Sequence, residues 1–262
     1  MLSPPLVSVI TPTEACRASL TRSIDSVRRQ GYPRLEHVVV GDACDGDRLS
    51  RLEALAYKGS STVPLWVANA PRAPGDVASY RPARAAHVRM VGAHVARGDL
   101  LAFLDDDNEY EPDHLMAMVQ AIERRPRVRA AYCWRQLVHP DGSPYVTPAS
   151  PWERDPRQAA RDYHDLVAAG VWIAGTNLMR DRLERNTVDS SCWLLRKDLL
   201  VDVPFRVSYG ADERRVRLGE DVAFCFDLRE RAVPVRCVPR YSVRYYLGGF
   251  STSGSGSYAT SR

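Results

Sequence analysis

The sequence predicts an α/β protein with a mainly parallel, doubly wound central sheet. Three observations lead there. Short runs rich in β-branched and aliphatic residues alternate with longer stretches whose apolar residues recur every three or four positions, the pattern of β-α-β units. The run Leu100-Leu101-Ala102-Phe103-Leu104 is apolar throughout, as strands covered on both faces are. That run stops at Asp105-Asp106-Asp107, and another stops at Gly41-Asp42, so polar residues gather where open α/β sheets hold ligands, off the carboxyl ends of the strands.

The elements follow in order. Leu6 to Ile10 reads as a strand ended by Thr11-Pro12-Thr13. Leu20, Ile24 and Val27 fall on one helical face, and Gly31-Tyr32-Pro33 stops that helix. Residues 35–40 form a second strand, Leu49, Leu52 and Leu55 mark a second helix, and 63–68 a third strand. Residues 70–82 read as a Pro-, Ala- and Gly-rich loop. A third helix follows, with Ala85, Val88, Val91 and Val95 as its apolar face and Arg84 and Arg89 near its start, both solvated unless a ligand recruits them. After the three acids, residues 109–113 cross the top of the sheet. Pro112 opens a helix with Leu115, Met118, Val119 and Ile122 inward. Residues 127–139 form a strand and Pro140-Asp141-Gly142-Ser143 a turn. Segment 144–185 has no clear period, and its Trp152, Tyr163 and Trp172 are read as packing. Residues 187–196 regain strand character and 197–201 form a short helix. A polar loop over 210–220 leads to Glu220-Asp221, which open a helix with Val222, Phe226 and Phe224 inward. Two strands, 233–238 and 241–247, precede a Gly- and Ser-rich tail over 251–262 that is expected to be mobile.

Composition narrows the function classes. The chain has 262 residues, enough for one large α/β domain or two small ones, and is 45% hydrophobic. Its net charge of +4, from 36 basic and 32 acidic residues, suits an anionic substrate. The arginines are scattered and not interleaved with aromatics, which argues against nucleic acid. Six cysteines, Cys16, Cys44, Cys133, Cys192, Cys225 and Cys237, lack Cys-x-x-Cys pairs or zinc-ligand spacing and read as reduced and structural. Residues 1–5 lack the features of a signal peptide, and no apolar stretch reaches the ~20 residues that span a bilayer. The expectation is a cytoplasmic protein. Three adjacent carboxylates repel one another and persist at low cost only beside a cation. Hard divalent ions prefer oxygen ligands, and Mg²⁺ usually sits between a carboxylate or two and a substrate phosphate.

The motifs then align with a family. Val7-Ser8-Val9-Ile10-Thr11-Pro12-Thr13, the helix Ser23 to Gln30 with Tyr32, Val38-Val39-Val40-Gly41-Asp42 with Asp45, the stretch Arg89 to Asp99, Leu104-Asp105-Asp106-Asp107 with Pro112 and Leu115, and Gly219-Glu220-Asp221 together resemble the family 2 glycosyltransferases. The resemblance covers 6–125 well and 186–250 loosely. It implies a GT-A fold: one Rossmann-like domain with a mainly parallel sheet and a smaller acceptor-side subregion. Residues 1–108 would be the donor half and 109–250 the acceptor and catalytic-base half. It also implies transfer of a sugar from a nucleotide-diphosphate sugar, UDP being the most frequent nucleotide, with inversion and with Mg²⁺ or Mn²⁺ as cofactor. The acceptor would be a small molecule or an envelope glycan, its identity unknown. Lack of a transmembrane segment argues against a processive polysaccharide synthase.

By the same resemblance, Asp107 and Asp105 are the metal anchors, Asp105 also being a candidate for the donor ribose, and Asp106 meets the donor sugar. Asp42 accepts from the base or ribose, while Thr11, Pro12 and Glu14 frame the base. Arg84 or Arg89 adds positive charge near the diphosphate. An acceptor hydroxyl needs a general base, for which Asp221 is the candidate and Glu220 the fallback. Asp189 and Trp193 are guessed acceptor contacts. Three features depart from the family pattern: Met90 follows Arg89 where Asn is common, Asn108 replaces a fourth acid, and Tyr245-Tyr246-Leu247-Gly248 supplies no histidine ligand, leaving the metal fewer protein ligands. Rival readings fare worse. A dehalogenase-like phosphohydrolase carries its Asp-x-Asp on the first strand, and a nucleotidyltransferase needs a Gly- and Arg-rich loop with a lysine there, where this chain has Thr11-Pro12-Thr13-Glu14-Ala15. A catalytically inactive GT-A-like nucleotide-binding module is the alternative that survives.

Overall fold

The structure is a computed structural model that describes residues 3–15, 18–57, 63–249 and 252. Cys16 and, apart from Thr252, the tail over 251–262 lie outside the described residues. Strand β1 (Val7–Thr13) lies between β2 (Leu35–Asp42) and β4 (Leu100–Phe103), and β3 (Leu65–Ala70) flanks β2, all four parallel. Beyond β4 the sheet becomes mixed. Strand β8 (Trp193–Arg196) is antiparallel to both β4 and β6 (Ala130–Val138), β9 (Val235–Tyr246) is parallel to β6, and the short β5 (Glu109–Tyr110) pairs antiparallel with β9. The two-residue β7 (Leu178–Met179) pairs with β6 off this path.

Strand β1 runs three residues further than the sequence suggests, through Pro12. Ile10 turns its carbonyl to β4, accepting from Leu104 N–H at 3.0 Å. Pro12, two residues on, therefore turns its missing N–H to the same side, where β4 has already ended, and no ladder bond is lost. The two C-terminal strands expected over 233–247 are one, β9, with register irregularities opposite 132–135 that let it follow β6.

Helices α1 (Ser19–Arg28), α2 (Gly46–Tyr57) and α5 (His114–Glu123) match their periodicity; α5 begins two residues after Pro112. The expected loop 70–82 instead holds the short α3 (Gly75–Ser79) and the start of α4 (Arg81–Val95). The inward face of α4 is also displaced: Ala83, Ala86, Arg89, Gly92 and Ala93 are buried while Val95 is 47% exposed. Small residues form that face because α4 packs closely on the sheet. A Cβ on Gly92 would lie 2.4 Å from Ile10 Cγ2 and 3.0 Å from Val40 Cγ2. Gly92→Ala gains about 1 kcal/mol of helix propensity, but overpacking costs about 1–3 kcal/mol, and this contact is severe. The expected result is a net loss of roughly 1–2 kcal/mol, seen as a lower urea midpoint at unchanged slope. A midpoint at or above wild type would mean that the β1–α4 contact yields.

Segment 144–185, patternless by eye, contains α6 (Pro156–Ala168). Its N-cap is Asp155, whose side chain accepts from Gln158 N–H, with Pro156 at the first helical position. Ala159 and Tyr163 are its buried residues. Tyr163 joins Leu137, Tyr145, Val171, Trp172, Met179, Tyr245 and Leu247 in a second, smaller core beside the main one. Residues 190–192 are a 3₁₀ turn instead of strand, and α7 (Leu199–Asp202) follows β8. The expected loop over 210–220 contains α8 (Ala211–Arg215), and α9 (Glu220–Glu230) starts at the expected residue. Its inward face is Ala223, Phe224, Cys225 and Leu228, and Phe226 is 36% exposed instead of buried. Cys44, Cys133, Cys192, Cys225 and Cys237 are free thiols. No helix among the described residues is long and apolar enough to cross a membrane.

Candidate active site

The C-terminal ends of β1, β2 and β4 open into a cleft of about 600 Å³. Its walls bring together Pro12, Glu14, Asp42, Arg84, Arg89, Asp105, Asp106, Asp107, Asp189, Glu220 and Asp221, residues from segments far apart in the chain. Two expected site residues are not there. Thr11 is fully buried, its hydroxyl 2.9 Å from His37 Nε2 under the sheet end; Thr13, two residues on and on the same side of the strand, lines the cleft instead. Trp193 is also fully buried, its ring against Tyr132 and Phe224 in the main core, and cannot touch an acceptor from there.

The acidic loop after β4 is held from several sides. Ser191 Oγ accepts from Asp105 N–H at 3.2 Å, Ser23 Oγ donates to the Asp105 carbonyl at 3.2 Å, and Arg22 donates to the Asp107 carbonyl at 3.0 Å. Asp106 is 9% exposed and accepts from Thr13 Oγ1 at 2.6 Å. Asn108, fully buried, donates to Ser191 Oγ and accepts from Tyr246 N–H, each at 3.0 Å. An aspartate here would lack the amide donor, so the replacement of an acid by Asn108 has a structural reason. Arg22 also pairs with Glu109 at 3.0 Å and lies over the Tyr246 ring.

Arg89 departs most from expectation. It sits in the middle of α4, 3% exposed, not on a solvated face near the helix start. Its guanidinium donates to Asp105 Oδ1 at 2.5 Å, Glu220 Oε1 at 2.8 Å and Ser190 Oγ at 2.8 Å. The acidic loop and the start of α9 are thereby tied to one cation. Arg84 instead turns to Asp42, at 3.1 Å from Nε and 2.5 Å from Nη2, and to Glu14 at 3.1 Å. A second buried arginine, Arg135 on β6, pairs with Asp181 at 3.3 Å and Asp189 at 3.2 Å. Asp189 also caps the 3₁₀ turn, accepting from Ser191 N–H at 2.9 Å.

Electrostatics separate the carboxylates. Burial, with the neighbouring Glu220 charge adding to it, pushes Asp221 up to about 6. Glu220 is also raised, because burial outweighs the pull of Arg89. Burial lifts Asp189 to about 6 against the opposing effect of Arg135. Asp221 Oδ1 accepts from Val222 N–H at 2.8 Å, and a Cβ on residue 219 would lie 2.5 Å from that oxygen, so Gly219 leaves room for the carboxylate.

Arg22, Arg135, Ser190 and Ser191 escaped sequence reasoning. The serines follow Asp189 as cap residues do, which is a weak signal. The arginines carry none, because their partners come from remote segments.

With this geometry in place, the family follows. Residues 4–256 match the family model for "Glycosyltransferase like family 2", and the chain belongs to that family. A curated relative, an uncharacterized glycosyltransferase of Haemophilus influenzae, is 28% identical over 153 residues, 56% of this chain and 46% of the relative. The chain thus spans about half the length of that relative. Among solved structures, S. aureus TarS 1–349 matches with a TM-score of 0.57 and 17% identity, over 92% of this chain and 60% of TarS 1–349. That protein has also been solved with UDP. The mannosyltransferase PcManGT from Pyrobaculum calidifontis, solved in complex with GDP-Man and Mn²⁺, matches with a TM-score of 0.58 and 19% identity, over 94% of this chain and 58% of the other. These matches bear out the GT-A fold.

Proposed function

We propose that this protein is a metal-dependent inverting glycosyltransferase, using a nucleotide-diphosphate sugar, UDP-sugar first among candidates, and a hydroxyl acceptor. The observation that carries the reading is the convergence of Asp42, Asp105 to Asp107 and Asp221 on one cleft at the sheet's carboxyl end. The donor nucleotide lies over Pro12, Glu14 and Asp42, with Arg84 bound to Asp42 so that the base or ribose meets a paired acid. Residues 1–108 supply this donor half, and 109–250 supply the acceptor side and the base. The reaction forms a bond from the acceptor oxygen to the anomeric carbon as the bond from that carbon to the diphosphate oxygen breaks. Asp221 takes the acceptor proton; its affinity near 6 leaves it ionised at neutral pH yet more basic than a solvated aspartate. Glu220, engaged by Arg89, orients the start of α9 and is not the base.

The residues fit a divalent cation that arrives with substrate. Among the described residues no group of three or more His, Cys, Asp or Glu side chains is disposed to hold a metal alone. Mg²⁺, however, commonly takes one or two carboxylates and completes its shell with substrate phosphates and water. Asp107 would hold the ion, joined by the Asp105 oxygen not engaged by Arg89. When bound, it supplies Lewis-acid stabilisation of the departing diphosphate.

Calorimetric titration tests this reading. UDP, dTDP and GDP are each titrated with and without Mn²⁺ into wild type and Asp107→Ala. One diphosphate is expected to bind in a metal-dependent way, with the metal enhancement lost in the variant, and Mn²⁺ alone is expected to bind weakly. Failure of all three nucleotides to bind in the presence of metal would leave the chain a GT-A-shaped module without this catalysis.

A further inference from the structure

Beyond the donor half, the cleft continues along a wall that the transfer chemistry leaves unassigned. Trp152, Leu166, Met179 and Tyr245 line it, with Arg135 and Arg154. Trp152 is tied to Tyr245 through its indole N–H, which donates to the phenol oxygen at 3.4 Å, and the Arg135 guanidinium lies 5.2 Å from the Trp152 ring and 5.0 Å from the Tyr245 ring. The wall is therefore a fixed aromatic surface over a buried cation. Arg135 is neutralised by Asp181 and Asp189, but its Nε–H has no hydrogen-bond partner among the described residues. Arg154 differs from three of the other cleft arginines. Arg84, Arg89 and Arg135 each meet a carboxylate, whereas Arg154, exposed two residues past Trp152, pairs with no carboxylate among the described residues. An unpaired guanidinium beside apolar and aromatic side chains matches a ligand with a ring or hydrocarbon face and an anionic group.

We infer that the acceptor is an anionic molecule, bearing a phosphate or carboxylate that Arg154 binds while its apolar or sugar-ring face rests on Trp152 and Leu166. This rests on the glycosyltransferase reading, because it places the acceptor opposite the donor half and within reach of Asp221. Only the substrate class is added. Phosphate and carboxylate each offer a guanidinium two anionic oxygens, and the measurement separates them.

The test uses the full chain saturated with UDP and Mn²⁺, so that the donor half is filled. Three probes are titrated: phenyl β-D-glucopyranoside, phenyl phosphate and benzoate. The expected result is that one or both anions bind at least about tenfold tighter than the neutral glucoside, and that Arg154→Gln removes this preference. Arg157→Gln is the control. Arg157, three residues further on in the first turn of α6, is exposed and lies off the cleft, so its variant loses the same charge, and it should keep the preference. The anion that binds tighter names the group. Equal binding of neutral and anionic probes, or equal losses in the two variants, overturns the proposal. If UDP with Mn²⁺ does not bind in the first step, the glycosyltransferase reading itself has failed, and the two failures are told apart.

Discussion

Asp221→Asn lowers the rate of sugar transfer by about 10²–10⁴-fold, the contribution of a positioned general base, while metal-dependent nucleotide binding stays at its wild-type value. Asparagine keeps the size of the side chain and its acceptor oxygen for Val222 N–H, so the start of α9 is not disturbed. Only proton transfer is lost. The pH profile adds a second, independent signature. With Asp221 as the proposed base, transfer would need its ionised form, and burial beside Glu220 pushes that carboxyl up to about 6. The rate should therefore be flat above about pH 7 and fall roughly tenfold per unit below 6. The residual rate of Asp221→Asn should lack this limb. Asp189 titrates in the same range, so Asp189→Asn is the control: the limb should survive in that variant. If the limb vanished with Asp189 and persisted in Asp221→Asn, the base would be misassigned. Glu220→Gln is expected to keep the limb but move it to lower pH, because the Glu220 charge helps to raise Asp221.

How much of this was legible before the structure depended on whether the signal was local. The parallel strands, the acidic loop after β4 and the acids opening α9 are written in contiguous runs, and all fall where the runs predict. Helix α6 was equally local, since Asp155-Pro156 followed by Ala159 and Tyr163 is a cap and one face, but the aromatic residues around it masked the period. The inward face of α4 was misread because close packing on the sheet selects Gly92 and Ala93, which periodicity by large apolar residues ignores. Thr11 and Thr13 show the limit of strand reading: two residues share one side of a strand, and only the length of the neighbouring strand decides which of them emerges. The arginines were least legible. A charged residue reads as solvated by default, and Arg89 and Arg135 are buried, and Arg22 half-buried, because carboxylates from remote segments meet them.

Arg89 carries the largest stability effect. Its burial is tolerable because Asp105 and Glu220 neutralise it and Ser190 accepts a further hydrogen bond, with Nε alone left without a partner among the described residues. Removing the cation leaves two carboxylates facing each other with little water to separate them. Breaking a buried pair by deleting one partner typically costs about 3–5 kcal/mol. Arg89→Met, which keeps the length of the stem, is therefore expected to lose that much stability, a fall of roughly 10 °C in Tm for a domain of this size. The sign of its pH dependence is fixed by the same geometry. Burial already raises Glu220 in the native state, and without Arg89 it rises further, so the native variant binds more protons than the unfolded chain. Stability of the variant then falls as pH rises through that elevated range and recovers at lower pH, where Glu220 is protonated. The difference between variant and wild type should be greatest near pH 8 and shrink toward pH 5 in urea unfolding. A deficit that stayed constant across this range would point to lost packing of the stem, and the arginine would then be holding α4 by its methylenes and not the two acids by its charge.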